Sequence, residues 1–348
     1  GMLEKIAVNL MAGVACVVKP WEVTSYLTEL MVREIVASNI LPEGSLQLVS
    51  GFGRGIVDHV KTGDCVTFTG SAHTGKKLKS QPQFIEQSVS FNLEADSLNS
   101  AVLGPDVEPG MPEFDIFVKE VHKEMTTKTG QKCTAVRRII VPENKVEAVQ
   151  EALIGRLKKT IIGDPQTEGV RMGALASPMQ VGRVRENAEI LMKSQEVVFG
   201  DMDRFEVTGA DKNKGSFFSP LLFRNNDPFT KTDVHSIEAF GPISSILPYK
   251  NLEDAVELAA MGKGSLVSSI VTASNKIGRE YAVEAAPMHG RILVLNAKSA
   301  KESTGHGSPM PLLTHGGPGR AGGGEEMGGK RGVLHYLQRT AIQGHPDA

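Results

Sequence analysis

The chain has 348 residues, with 40 acidic and 38 basic side chains and a net charge of −2. This length allows one large or two moderate domains, and the interspersed charges argue against binding to nucleic acid or to an anionic membrane. Three widely spaced cysteines argue against a disulfide framework and favour a reducing, cytoplasmic location. No apolar run reaches the ~18 residues that span a bilayer, and the first residues lack the basic-then-apolar order of a signal peptide.

Apolar spacing and glycine turns predict alternating helices and strands in the first hundred residues. The predicted helices cover 3–12, 24–38, a segment opened by the glycines at 51–55, and 76–80. The predicted strands cover 15–18, 45–49 and 65–69. This alternation is typical of a doubly wound, dinucleotide-type parallel sheet.

A second α/β domain is predicted to begin near residue 100. Its predicted helices cover 146–158, 180–193, 251–261 and 276–286, and its predicted strands cover 137–141, 196–199, 266–272 and 291–295. Residues 302–332 are dense in glycine, which by composition alone indicates a flexible linker. Apolar residues bracket this stretch, so we expect it to be anchored.

Cys133 lies in the small-residue run 129–135, directly before a predicted buried strand. A cysteine in this position can face a cleft while its neighbours hold it rigidly. Lys132, Arg137 and Arg138 predict a stabilised thiolate, which is the form that attacks carbonyl carbon. A lone cysteine is more often structural, so this interpretation depends on the rest of the chain.

Two further motifs follow predicted strands. Gly70, Ser71 and Gly75 form a turn into a helix that can direct backbone N–H groups at a pyrophosphate, although an ordinary turn with Ser71 as helix cap fits equally well. Lys19 and Glu22 can hold ribose hydroxyls, or can form a solvated charge pair.

Two acidic motifs lie on either side of Cys133 in the chain. Glu94 interrupts an apolar run, which predicts a raised pKa suited to a general base; the alternative is a half-exposed carboxylate at a sheet edge. Glu238 and Phe240 precede a Gly-Pro turn that can present an acid and an aromatic ring to a ligand, or can simply connect two elements.

The order of these motifs resembles the aldehyde dehydrogenase superfamily. That superfamily has Lys-Pro-x-Glu, Phe-Thr-Gly-Ser-x-x-x-Gly, a general-base Glu, Gly-Gln-x-Cys and Glu-x-Phe-Gly-Pro, and all five occur here in that order. The resemblance implies an α/β fold with a Rossmann-type cofactor domain and an α/β catalytic domain. It implies domain ranges of 1–99 for cofactor binding, 100–318 for the catalytic thiol, and 319–348 for a segment that returns to the cofactor domain or forms an oligomerisation arm.

The resemblance also implies a role for each motif residue. Cys133 is the expected nucleophile and Glu94 the expected base. The expected cofactor contacts are Lys19 and Glu22 at the adenosine ribose, Gly70, Ser71 and Gly75 at the pyrophosphate, and Glu238 with Phe240 at the nicotinamide side. NADP or NAD is the expected cofactor; a carboxylate at position 22 favours NAD because it repels a 2′-phosphate.

Finer features resemble the branch that oxidises semialdehydes carried as CoA thioesters in phenylacetate and benzoate degradation. These features are the run after Glu94 and the glycine-rich ending at 305–326. We therefore expect a small-molecule aldehyde substrate, CoA-linked, and a homo-oligomer. No metal site is expected, because the nine histidines show no metal-ligand spacing; His306 and His315 are interpreted as turn or tunnel-lining residues.

Two other functions remain open. A CoA-acylating aldehyde dehydrogenase would need no water-activating base, so Glu94 argues against it. A catalytically silent nucleotide-binding or oligomerisation module is the second alternative. One difference from the family favours this alternative. In the family, the side chain that donates a hydrogen bond to the oxyanion is an Asn, which lies in a segment preceding the helix at 3–12. This sequence does not contain that segment, and we expect weak or absent activity from the chain alone.

Overall fold

A computed structural model describes residues 1–345 and 347 of the chain. Its α-helices are α1 Met2–Met11, α2 Ser25–Ala37, α3 Ala72–Lys79, α4 Pro82–Glu86, α5 Pro112–Thr126, α6 Val146–Leu157, α7 Pro178–Met192, α8 Leu252–Ala260, α9 Asn275–Ala285 and α10 Lys330–Leu334. Its strands are β1 Cys16–Val18, β2 Leu46–Leu48, β3 Cys65–Thr69, β4 Ser90–Glu94, β5 Asn99–Leu103, β6 Val136–Pro142, β7 Glu196–Phe199, β8 Leu221–Arg224, β9 Ile243–Tyr249, β10 Ser268–Val271, β11 Ile292–Leu295, β12 Thr314–Gly316 and β13 Glu325–Met327. Among the described residues, every helix is too short or too polar to cross a bilayer.

The largest sheet has seven strands in the order β11-β10-β5-β6-β9-β8-β7. Its ladders are parallel except for the pairing of β7 with β8. Every residue of β6 is buried, because Ile139 and Val141 pack against α5 and α6 while Ile140 packs against α8 and α9. This two-sided packing is the reason the apolar residues 139–141 are consecutive rather than alternating with polar ones.

The strands of the first hundred residues pair differently from the prediction. Instead of one doubly wound sheet, β1 pairs with β2 and β3 pairs with β4, each as a separate parallel two-stranded sheet. The helix predicted from the glycines at 51–55 is absent from the described residues, where Gly55 is left-handed at φ 79° and only a 3₁₀ turn follows at Ile56–His59. A left-handed residue stops helix propagation at that point.

The other predicted helices and strands are confirmed to within a few residues, and one long helix was missed. Helix α5 begins with Pro112 in its first turn and buries Phe114, Phe117, Val121 and Met125 at helical spacing. Proline is tolerated there because the first N–H groups of a helix have no intrahelical partner. This helix packs against β6, the strand that follows the turn carrying Cys133.

The glycine-rich stretch is packed, as its apolar brackets predicted. Strands β12 and β13 form an antiparallel pair, and the residues between them run along β4. The N–H of Gly324 donates to the carbonyl of Leu93 at 2.9 Å, and the N–H of Ala95 donates to the carbonyl of Ala321 at 2.9 Å. A side chain at Gly322 would overlap the backbone of Leu93, so glycine is required for this close approach. The domain ranges given above stay predictions.

Candidate active site

The turn that carries Cys133 is fixed by side chains from two other segments. Asn99, fully buried at the start of β5, donates from Nδ2 to the carbonyls of Cys133 at 2.8 Å and of Ala135 at 3.0 Å. Thr134 donates from Oγ1 to the carbonyl of Gly307 at 3.0 Å. Cys133 itself is half-buried. The thiol therefore stands on a rigid support and keeps a path to solvent.

The residues just before this turn have an unusual backbone. Lys128, Thr129 and Gly130 have φ values of 53°, 55° and 68°, and the left-handed region costs a non-glycine residue about 1–2 kcal/mol. A side chain at Gly130 would overlap the carbonyl of Gly241. Thr129 is held in place because its Oγ1 donates to the carbonyl of Gly173 at 2.9 Å.

Glu94, at the end of β4, and Cys133 meet at the predicted catalytic position, together with His315 from β12. His315 Nε2 lies 3.8 Å from Cys133 Sγ and 3.2 Å from Glu94 Oε1. One atom of each of the three side chains lies within 4.8 Å of the others. Glu94 is 4% exposed. Sequence reasoning paired Cys133 with Glu94 but missed His315, because no local pattern marks a histidine that arrives from the tail.

The predicted stabilisation of a thiolate by its basic neighbours is wrong. Lys132 forms an ion pair with a buried carboxylate of α5, and both Arg137 and Arg138 donate to backbone carbonyls inside the core. Burial, followed by the negative charge of Glu94 and the hydrogen bond to it, raises the pKa of Cys133 to about 12. The side chain of Cys133 is therefore a neutral thiol.

The predicted raised pKa of Glu94 is also wrong. Burial alone raises the pKa of this carboxyl, but the hydrogen bond and electrostatic interaction with His315, the positive charge of Lys5 and the nearby thiol of Cys133 together lower it below its usual value. Glu94 is therefore an ionised acceptor that faces a protonated thiol.

A second polar cluster lies behind Glu94. Lys5 of α1 forms an ion pair with Glu326 of β13 and donates to Thr67 Oγ1 at 3.1 Å. Thr69 Oγ1 donates to Glu326 Oε1 at 3.3 Å. The first helix, the strand β3 and the tail thus meet beside the site, an arrangement that sequence reasoning also missed.

Lys19 and Glu22 form an ion pair with each other just after β1. Their side chains remain 24% and 29% exposed, and the stem of Lys19 packs on Gly53. The hydrogen bond from Lys19 lowers the pKa of Glu22. In the described residues neither side chain bonds to the cluster around Cys133, so their ribose contact stays a prediction.

The three residues predicted to bind the pyrophosphate differ in their exposure. Gly70 and Ser71 are exposed, and Ser71 caps α3 by accepting from the N–H of Thr74 at 3.2 Å. Gly75 is buried, and a side chain there would overlap Leu93. Gly75 therefore allows the helix to pack closely on β4, and its predicted ligand contact is untested.

Glu238 and Phe240 lie beside the catalytic turn, and Arg137 connects the two segments. The guanidinium of Arg137 donates to the carbonyls of Gly130 at 2.7 Å and Gly241 at 2.6 Å, and its central carbon lies 5.5 Å from the centre of the Phe240 ring. Glu238 keeps part of its surface accessible, but burial among protein atoms raises the pKa of its carboxyl to about 7.

An open cavity of about 530 Å³ lies against the same turn. Thr129 and Gln131 line its floor, Met172 contributes an apolar wall, and the exposed side chains of Lys128 and Arg171 add positive charge. Ligand-binding clefts typically measure about 300–1,000 Å³, so this cavity can accept part of a substrate next to the nucleophile's turn.

Comparison with known proteins assigns the chain to a family. The sequence model of the aldehyde dehydrogenase family matches residues 2–342. The 3,4-dehydroadipyl-CoA semialdehyde dehydrogenase of Aromatoleum evansii is 42% identical over 318 residues, which cover 91% of this chain and 62% of that protein. The protein MaoC of Klebsiella aerogenes is 48% identical over 176 residues, which cover 50% of this chain and 51% of that protein. The chain thus spans less than two thirds of the length of either relative.

Solved structures show the same fold. The betaine aldehyde dehydrogenase of Staphylococcus aureus in complex with NAD⁺ superposes with a TM-score of 0.83 at 23% identity, over 96% of this chain and 62% of that chain. This match confirms the predicted mixed α/β fold. Together with the family match and the order of the motifs around Cys133, it identifies the chain as a member of the aldehyde dehydrogenase family.

Proposed function

We propose that this chain oxidises an aldehyde to a carboxylate through a thioester on Cys133, with NAD or NADP as hydride acceptor. The observation that carries the proposal is the meeting of Cys133, Glu94 and His315 at the end of β4. A buried thiol beside an ionised carboxylate is the arrangement of a nucleophile with its base.

In the first step, a proton passes from Cys133 to Glu94. As Cys133 Sγ bonds to the carbonyl carbon, its proton moves to the nearby Glu94 carboxylate, which has an oxygen within 4.8 Å of Sγ. The carbonyl oxygen becomes an oxyanion. The backbone N–H of Cys133 has no hydrogen-bond partner in the described residues, which leaves it free to donate to that oxygen.

The residues around the predicted cofactor contacts fit a dinucleotide. The N–H of Ser71 has no partner within the described residues and lies at the positive end of α3, where the next N–H, that of Ala72, donates to the Asp96 carboxylate at 2.8 Å. The carboxylates of Glu22 and Glu238 keep accessible surface for hydroxyl groups. A nicotinamide bound there supplies the acceptor for the hydride that leaves the carbon bonded to Cys133 Sγ. Since a carboxylate at position 22 repels a 2′-phosphate, we favour NAD.

The second step is hydrolysis of the thioester. Glu94 first releases to solvent the proton that it took from Cys133. It then removes a proton from a water molecule, whose oxygen bonds to the acyl carbon; the bond to Sγ breaks as that proton passes to the sulfur, and the product acid ionises to the carboxylate. His315 holds Glu94 ionised and oriented toward Sγ. A base in this position supports hydrolysis rather than transfer of the acyl group to CoA.

We further propose that the substrate is a semialdehyde carried as a CoA thioester, as in aromatic-acid degradation. The name of the Aromatoleum relative supports this class, and the cationic cavity beside the catalytic turn supports a phosphate-bearing substrate. The predicted homo-oligomer and cytoplasmic location stay predictions.

The test is detection of the covalent intermediate. The protein is incubated with adipyl-CoA semialdehyde and NAD or NADP, and peptide mass spectrometry is used to find an acyl adduct on Cys133. An acyl adduct with formation of reduced nicotinamide supports the proposal. Retained cofactor binding with neither an adduct nor reduced nicotinamide would overturn it in favour of a silent nucleotide-binding module.

A further inference from the structure

We propose that Cys133, Glu94 and His315 form a binding site for a zinc ion, and that the ion blocks the nucleophile reversibly. The inference goes beyond aldehyde oxidation, because it concerns what the three side chains bind in the absence of aldehyde and nicotinamide. They offer a sulfur, a carboxylate oxygen and an imidazole nitrogen, which are the three donor types that zinc accepts in proteins.

The spacing of the donor atoms matches a tetrahedral site. With Zn–S of about 2.3 Å and Zn–N and Zn–O of about 2.0–2.1 Å, tetrahedral donors lie roughly 3.3–3.6 Å apart. The observed separations are 3.8 Å from Cys133 Sγ to His315 Nε2 and 3.2 Å from His315 Nε2 to Glu94 Oε1. The third pair lies within 4.8 Å. Shifts of a few tenths of an ångström in two pairs, with rotation of the Cys133 or Glu94 side chain, complete the set.

Each of the three ligands is held in place by contacts with neighbouring elements. Glu94 ends a strand that is paired with β3 and covered by the tail, His315 lies in the β12–β13 pair, and Asn99 fixes the backbone of Cys133. A site held by three separate elements loses little conformational freedom when an ion binds. Three protein ligands leave a fourth position for water, as in open zinc sites.

The charges around the site also favour a divalent cation. On binding, the thiol proton of Cys133 passes to solvent, so that a thiolate and a carboxylate face the ion. The nearby cation Lys5 opposes this, but its charge is offset by the ion pair with buried Glu326. Sulfur and imidazole donors select zinc over magnesium or calcium, which prefer oxygen.

A bound zinc ion would make Cys133 unreactive. A thiolate bonded to zinc cannot add to a carbonyl carbon until the ion leaves. Free zinc would then hold the protein in an inactive state that a chelator reverses.

The first experiment measures protection of the thiol. The protein is titrated with zinc sulfate in a chelator-buffered solution and pulsed with iodoacetamide, and labelling is read peptide by peptide in a mass spectrometer. We expect one equivalent of zinc to protect Cys133 and EDTA to restore its labelling. Cys16 and Cys65, both half-buried, serve as internal controls. Equal protection of all three cysteines, or none at Cys133, would contradict the site.

The second experiment assigns the ligands. His315→Phe removes the imidazole in a similar volume, and Glu94→Gln removes the carboxylate charge; each should weaken zinc binding by at least about 10–100-fold, since even outer-shell changes cost that much. His59→Ala is the matched control, because His59 is an exposed histidine without a hydrogen-bond partner in the described residues. Unchanged zinc affinity in His315→Phe overturns the proposal.

Because a variant can fail to fold, a third experiment uses the unmodified protein. Cobalt(II) replaces zinc, and its absorption spectrum reports the site directly. We expect the visible bands of a tetrahedral ion and a near-ultraviolet thiolate-to-cobalt band that is absent in Cys133→Ser. An octahedral spectrum would contradict the site. None of these readouts requires aldehyde oxidation, so failure of the zinc site and failure of the enzymatic proposal are distinguishable.

Discussion

The seven-stranded sheet and the paired strands of the first 95 residues hold the active site from two sides, and they differ in packing depth. Strand β6, which follows Cys133, is buried at all seven positions between two helical layers. By contrast, the cluster around β1 and β2 has three buried apolar residues among those described, Ile6, Val32 and Leu46. Cys133, the proposed nucleophile, therefore adjoins the deeply packed seven-stranded sheet, called here the thick scaffold. Glu94 and the predicted ribose contacts lie among the paired strands of the first 95 residues, called here the thin scaffold.

This difference shows why the tail matters to the chemistry. Strand β4 has only β3 as a strand partner, so Glu94 depends on contacts with the glycine-rich stretch and with His315 for its position. Local opening of the thin scaffold would move the base and leave the nucleophile in place. The following predictions test what individual residues of the two scaffolds contribute to activity and stability.

The largest expected effect is on turnover when the base is removed. Glu94→Gln should lower aldehyde oxidation by about 10²–10⁴-fold, the usual contribution of a general base. Solvent can take the thiol proton, but the amide introduced at position 94 cannot remove a proton from the hydrolytic water as the carboxylate does, so acyl-Cys133 should accumulate. Intact-protein mass spectrometry and the rate of reduced nicotinamide formation measure both effects. Glu86→Gln on exposed α4 is the control; an unaltered rate in Glu94→Gln would exclude Glu94 as the base.

The packing difference itself is tested by a matched pair of substitutions. Ile139→Ala in β6 should lower the free energy of unfolding by about 4 kcal/mol, and Ile6→Ala in α1 by about 2 kcal/mol, because a cavity in the thinner cluster can collapse or fill with water. Denaturant unfolding gives the two values, and hydrogen exchange should be faster in α1 and β1 than in β6. Equal losses and equal exchange would remove the distinction between the scaffolds.

In the region of the seven-stranded sheet, the sequence predicted β6, β7, β10, β11 and helices α6 to α9, because these segments carry clear apolar patterns, but it missed α5, β5 and β8. It predicted Cys133 and Glu94 because both lie in ordered motifs. It could not predict His315, whose position depends on the tail folding back along β4. The expected thiolate failed for a related reason: Arg137 and Arg138 are neighbours in sequence, but their guanidinium groups are taken up by carbonyls in the core, and the pKa of Cys133 follows its neighbours in space.

A third prediction concerns the pH dependence of stability at Glu238. Its folded-state pKa is raised to about 7 by burial, above the ordinary value near 4.3 of an unfolded chain. The folded state therefore binds the extra proton, and the stabilising contribution is full below about pH 4 and is lost as the pH rises through 7. Relative to the unmodified protein, Glu238→Gln should gain on the order of 2–3 kcal/mol between pH 5 and 8.

Thermal unfolding of both proteins across this pH range measures the difference. Glu189→Gln on the exposed face of α7 should show no such trend. A difference that is constant with pH would mean that Glu238 is solvated in the folded protein. Bound NAD should reduce the trend if Glu238 contacts a ribose hydroxyl.

The smallest expected effect separates substrate recognition from cofactor binding. If the cationic cavity receives the phosphates of a CoA thioester, replacing both Lys128 and Arg171 by Gln should raise KM for adipyl-CoA semialdehyde about tenfold. Two exposed ion pairs of up to about 1 kcal/mol each account for such a change.

KM for the same semialdehyde without CoA, and the affinity for NAD, should stay the same, and Lys159→Gln is the control for loss of an exposed charge. The effect should shrink at high salt, because these side chains are exposed. Selective loss for the CoA substrate would assign substrate choice to the thick scaffold that carries Cys133, whereas an equal change for both aldehydes would show that the cavity only supports the catalytic turn.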